Sequence, residues 1–266
     1  MSDDSEILRP SGLLHRLFES SSDWRYKVVR LAFLIASFSH LWLLDAAQPD
    51  WAVSNLIYVL GLTLIVFNGG AAGWFITTIA LAIPLLFLRD QLTQSLLLMG
   101  YASSVGLGLW VTTMRGEGRA ESGLSLMLGA LRGLTIVTYF LATLHKLNRD
   151  FFNVATSCAN YGIAEVIDYW GLEGASSLAN SGIFPWATVV AEFAIGLAYV
   201  LGRRRVAWLI SAAFHIPLTL TMAPAFVFVM LVGHVAFLEE EDRLSLLNSF
   251  WNHGRITLGV STLITT

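Results

Sequence analysis

The residue with the clearest chemical potential is a lysine at the end of an apolar run, Ala142-Thr143-Leu144-His145-Lys146-Leu147-Asn148-Arg149-Asp150-Phe151. A cation at the rim of a greasy helix either reaches water or is held by partners. Turned inward and poorly hydrated, an amine favours its neutral form, and a neutral amine can remove protons. Upstream, Arg132, Thr135, Tyr139, Thr143 and Lys146 fall within about 80° of one another at 100° per residue. One face of that helix is therefore polar from mid-depth to its end. Such a stripe should face protein or a watery hollow, because hydrocarbon would leave its groups unpaired.

Other ionisable groups are expected at similar depth. Glu192, His215, His234 and His40 lie about 12 to 18 Å inside their apolar runs at ~1.5 Å per residue. The obvious partners are Arg132 and Glu192, since an unpaired buried charge costs several kcal/mol and pairing relieves much of it. That pair also reads as a plain strut between helices. Each histidine, taken singly, reads as a hydrogen-bonded core residue. No H-x-x-H or H-x-x-x-H spacing occurs and Cys158 is the only cysteine, so no metal site and no intrachain disulfide is expected.

These groups need elements to position them, and composition says which. Of 266 residues, 55% are hydrophobic and 13% charged, with a mean hydropathy of +0.65. Soluble domains carry about 25% charged residues. The expected fold is all-α, a polytopic transmembrane helical bundle. Spans are expected near 28–47, 52–67, 71–88, 92–114, 124–146, 184–201, 206–222 and 224–238. Asn68-Gly69-Gly70 marks the turn between the second and third. The last two are divided only at Met222-Ala223-Pro224, so seven spans is the rival count.

Charge asymmetry favours eight spans with both termini cytoplasmic. That topology puts 12 of the 16 basic residues inside, from Arg9 to Arg30, at Arg115 and Arg119, at Arg203 to Arg205, and at Arg243 and Arg255. Arg89, Arg149 and Lys146 fall outside. Residues 1–27 form a cytoplasmic segment in which 12–24 suit an interfacial amphipathic helix. Residues 28–238 are the membrane domain, 147–183 its long outer loop, and 239–266 a cytoplasmic tail. The Tyr161-to-Trp170 stretch suits a helix dipping into the interface. Gly100, Ser104 and Gly108 form a small-residue stripe for close helix packing. A formal charge of −3 and the lack of a basic tract argue against a nucleic-acid partner. The absence of any N-x-S/T sequon favours a bacterial plasma membrane.

The run from Leu141 to Phe151 resembles the lysine motif of the vitamin K-dependent gamma-carboxylase family, and Thr156-Ser157-Cys158-Ala159 resembles its small HTTM-domain relatives. Glu192-Phe193 and Phe214-His215 are similar, more loosely, to later helices. The resemblance spans residues 25–240. It implies that Lys146 is the base that deprotonates a reduced quinone of the menaquinol or vitamin K hydroquinone type. Glu192 and His215, at the looser matches, then shape the cavity. Apart from the resemblance, Arg132, Tyr139, Thr143 and His40 are the candidate cofactor-binding residues. The family enzyme carries a large lumenal domain that helps bind its peptide substrate. This chain runs only 28 residues past its last expected span. A quinol-linked modification of a small molecule or short peptide is thus a better expectation than peptide carboxylation. Membrane lipids are the other expected partners. A non-catalytic scaffold or peptide maturation and export partner stands as the alternative, as does a proton-coupled transporter.

Overall fold

The computed structural model describes residues 23–43, 52–87, 92–115, 120–219, 224–239 and 241–242. The chain divides into two compact units, residues 1–236 and 237–266. In the second, the Asp242 carboxylate accepts from the Glu239 amide at 3.0 Å. The expected amphipathic helix at 12–24 and most of the tail lie outside the described residues.

Among the described residues the fold is helical throughout, with no strand. The long helices are α1 (Trp24–Leu43), α2 (Ala52–Phe67), α3 (Ala71–Phe87), α4 (Leu92–Arg115) and α5 (Ala120–Lys146). Three short helices follow, α6 (Arg149–Phe152), α7 (Cys158–Tyr169) and α8 (Ser176–Ala179), with a 3-10 turn before the last. Then come α9 (Ile183–Val200), α10 (Arg204–Thr219) and α11 (Pro224–Val235). Each of the eight expected apolar runs has a helix, and the last two are separate helices. Among the described residues, three stretches are long and apolar enough to cross a membrane: Ser95–Thr113, Ser122–Lys146 and Ile183–Val200. Shorter apolar stretches occupy Val53–Phe67 and Ala71–Ile83.

The helices stop where the chain's chemistry changes. Gly202 follows α9 with φ of +68° and donates to Tyr199, while the Arg203 amide reaches back to Ala198 at 2.7 Å. This glycine cap closes α9 and starts the Arg203-Arg204-Arg205 turn. At Gly69, φ is +72°. Its carbonyl accepts from the Tyr26 hydroxyl of α1, which fixes the expected turn against the first helix.

Successive long helices pack on one another, and α11 returns to α1, α4 and α5. The tightest seams use glycine. A Cβ on Gly123 would meet the Gly108 carbonyl at 2.5 Å and the Thr112 nitrogen at 2.6 Å. A Cβ on Gly108 would meet that of Met127 at 2.5 Å, and one on Gly100 would meet Leu134 at 2.7 Å. The small-residue stripe on α4 is therefore packing surface for α5. Large apolar side chains also cover the outside of the unit, among them Leu56, Val190 and Leu209 at 60–71% exposure. That is the reverse of a water-facing surface, where wide apolar patches are avoided.

Candidate functional site

Helices α5 and α9 run antiparallel, because Lys146 meets Glu192 while Tyr139, two turns earlier, packs its Cβ against Gly196. The polar stripe of α5 turns inward as its spacing predicts. Thr135, Tyr139 and Thr143 are buried. The hydroxyls of Thr135 and Thr143 bond back to the carbonyls of Leu131 and Tyr139, at 2.7 and 2.8 Å.

At the end of the stripe, Lys146 Nζ donates to Glu192 Oε1 at 2.8 Å. The lysine side chain is 22% exposed and the glutamate 5%, so this is a buried ion pair rather than a surface one. Glu192 Oε2 is buried and has no hydrogen-bond partner among the described residues. The Phe151 ring lies 5.9 Å from Nζ, within cation–π range. The residues after the lysine hold it in place. Asn148 Nδ2 donates to the His145 carbonyl at 2.7 Å, and its Oδ1 accepts from the Phe151 amide at 2.9 Å. One asparagine thus caps the end of α5 and the start of α6.

The expected Arg132–Glu192 pair does not form. Arg132 lies 14 residues before Lys146, about 21 Å along α5 at ~1.5 Å per residue. Its Nε instead donates to the Ala236 carbonyl at 2.8 Å, just past the end of α11. A cation there satisfies a terminal carbonyl and suits the negative end of the helix dipole. The expectation failed because it measured depth from the end of each run, as if all helices began at one level. Here the end of α5 meets the middle of α9. Glu192 is nine residues from Ile183, about 14 Å along the helix. Lys146 therefore lies level with the middle of α9 and not with its start.

A second polar cluster lies deeper, centred on His234 of α11. Its Nε2 is 2.7 Å from both the Tyr139 hydroxyl and Ser211 Oγ, and its Nδ1 bonds the Tyr199 hydroxyl. Ser211 Oγ is also 3.0 Å from His215 Nδ1, as is the Ser211 carbonyl. A carbonyl can only accept, so His215 Nδ1 carries a hydrogen. The Ser211 hydroxyl links the two imidazoles, and His234 is engaged by hydroxyls at both ring nitrogens. One histidine so ties together α5, α9, α10 and α11. The Trp208 ring packs against it at 5.3 Å.

Of the residues singled out from sequence, Lys146 and Glu192 come together, as do Tyr139, His215 and His234. His215 was expected to shape a cavity. It is buried toward the His234 cluster instead, while its neighbour Phe214 turns the other way. His40 lies in α1, and its side chain falls outside the described residues. Tyr199 and Ser211 were missed, although spacing carried a signal. Ser211 precedes His215 by four residues and Tyr199 follows Glu192 by seven, so each shares its partner's helix face. Among the described residues no group of three histidine, cysteine or carboxylate side chains could hold a metal ion.

An apolar hollow of about 470 Å³ lies between α7, α9 and α10. Its walls include Gly162, Trp170, Thr188, Ala191 and Phe214. Lys146 and Glu192 are not among them, but Ala191 immediately precedes Glu192. The outward face of α7 and its flanks carries Tyr161, Tyr169, Trp170 and, on α9, Trp186, all exposed. No family model matches this chain, and neither a curated protein nor a solved structure is similar to it.

Proposed function

We propose that this chain is a multi-pass protein of a bacterial plasma membrane, with eight spans and both termini in the cytoplasm, that acts as a quinol-linked enzyme. The apolar exterior and the three membrane-length helices support the bilayer setting. Exposed tyrosines and tryptophans around α7 suit the outer interface, where amphipathic rings prefer to sit. The reading of the site keeps the resemblance to the HTTM and vitamin K-dependent gamma-carboxylase families.

The observation that carries the enzymatic reading is the Lys146–Glu192 pair with its open oxygen. A buried carboxylate oxygen without a donor favours a ligand that brings a hydroxyl, because leaving it unmet costs about 1–3 kcal/mol. The hollow next to Ala191 gives apolar walls for a ring and tail. A reduced quinone has both features, and when bound it supplies two electrons and two protons. The pair shares one labile proton between amine and carboxylate. With that proton on Glu192, Lys146 is a neutral amine, able to take a second proton from a hydroxyl. As ammonium it then stays beside the oxygen it has uncovered and offsets the charge there. Thr188 and Phe214 would bound the ring, and Asn148 would keep the lysine from swinging out.

The test is turnover of menaquinol by the protein in lipid nanodiscs under air, with dioxygen as the acceptor of the two electrons and two protons, counted above the rate in empty nanodiscs. Wild-type protein is expected to oxidise it, and Lys146→Ala to insert and fold yet show no turnover. Unchanged turnover in Lys146→Ala would remove the lysine from the mechanism. An inert wild type would leave the second reading, a non-catalytic scaffold or peptide maturation partner. One observation favours that reading: Asn148 and Phe151, the motif residues beside the lysine, both have structural duties.

A further inference from the structure

The apolar hollow carries a polar feature that its side chains conceal. Pro217 lies inside α10 and has no amide hydrogen. In an α-helix the amide of residue 217 would bond the carbonyl of residue 213. The Ala213 carbonyl therefore lacks its helical partner. Ala213 and Pro217 both line the hollow, so the carbonyl between them lies on its wall. Hydrocarbon offers that oxygen no donor, and a membrane helix tolerates proline where other groups satisfy what the proline has freed.

From α9, Thr188 lines the same hollow. In the other long helices threonine hydroxyls bond back to the carbonyl four residues earlier, as at Thr63, Thr78, Thr112 and Thr138. The Thr188 hydroxyl makes no hydrogen bond among the described residues. Helices α9 and α10 pack on each other and are joined by the tight turn at Gly202. Thr188 lies 14 residues before that glycine and Pro217 lies 15 after it, which brings the two level on the paired helices. One hydroxyl that can donate and one carbonyl that can only accept are thus set into walls that are otherwise hydrocarbon.

We propose that the Ala213 carbonyl and Thr188 make the hollow selective for the reduced, hydroxyl-bearing form of its ligand. A ring hydroxyl donates to the Ala213 oxygen and accepts from the Thr188 hydroxyl. The proposal rests on the reading of the hollow as the seat of a quinol in a membrane-spanning chain. The same two groups separate substrate from product. A quinol has hydroxyls to donate. The quinone has carbonyls in their place, and two carbonyls cannot bond each other. Phe214, beside Ala213 in the wall, offers the ring an apolar surface in either state, so packing alone does not discriminate. The oxidised ring leaves the Ala213 oxygen unmet and is the more weakly held.

The experiment measures binding of 1-naphthol and 1-methoxynaphthalene to the full chain in lipid nanodiscs, by equilibrium dialysis against empty nanodiscs. The two probes share a ring, and only the first has a hydrogen to donate. Wild-type protein is expected to bind the naphthol about five- to tenfold more tightly. Pro217→Ala supplies the missing amide and favours the helix. It should bring that ratio close to one while methoxynaphthalene still binds. Thr188→Val should weaken both probes alike and leave their ratio unchanged, because either oxygen can accept. Equal affinities in the wild type would overturn the proposal, as would a ratio that survives in Pro217→Ala. Unchanged affinities in Thr188→Val would strike the threonine from the site. Discrimination without menaquinol turnover removes the enzymatic reading alone, and turnover with equal probe affinities removes the selectivity alone.

Discussion

The two ends of α5 bury different things. Near its start, Gly123 lies against Gly108 and Thr112 of α4, where backbone meets backbone and no side chain fits between. Near its end, Tyr139 and Lys146 reach across to α9 and α11 through hydroxyl, imidazole and carboxylate. The first seam is held by close van der Waals contact, which tolerates no added volume. The second is held by charge and hydrogen bonds, which tolerate no missing partner. Rigidity at one end and polar chemistry at the other suit a helix that anchors a scaffold and presents a site.

The largest expected effect is at the polar end. Lys146→Ala leaves Glu192 buried without its cation and should destabilise by about 3–5 kcal/mol. The double variant Lys146→Met with Glu192→Leu removes both charges and should recover most of that loss. Thermal unfolding of the two singles and the double in one detergent gives the coupling, and additive losses would break the contrast between the seams. At the packed end, Gly123→Ala should cost about 1–3 kcal/mol through overpacking. Gly129, two turns along the same helix, has open space around it. Gly129→Ala should therefore stabilise slightly, by about 0.4–1 kcal/mol. Equal responses at Gly123 and Gly129 in the same unfolding assay would mean that the α4–α5 contact is not as close as described.

Much of this was legible in the sequence because hydropathy and helical spacing are local. The apolar runs gave helices, and the 100° arithmetic put Thr135, Tyr139 and Thr143 on a buried face. The Gly100 and Gly108 spacing predicts a packing stripe, and Leu134 and Met127 of α5 pack on it. What one helix meets on another was not legible, because stagger between helices is set by packing and not by any single run. Glu192 was assigned to Arg132 for that reason, although Arg132 lies about 21 Å too far along α5 at ~1.5 Å per residue. The capping role of Asn148 belongs to its place between two helices, where asparagine is an ordinary cap, and not to the lysine motif.

The most direct measurement is amine labelling in detergent, read by mass spectrometry. The chain has two lysines, the exposed Lys27 and the paired Lys146, so one carries the internal standard for the other. Lys146 should react much more slowly than Lys27, and Glu192→Gln should raise its rate while leaving Lys27 unchanged. Equal rates at the two lysines in the wild type, with no response to Glu192→Gln, would contradict the buried pair on which the site depends.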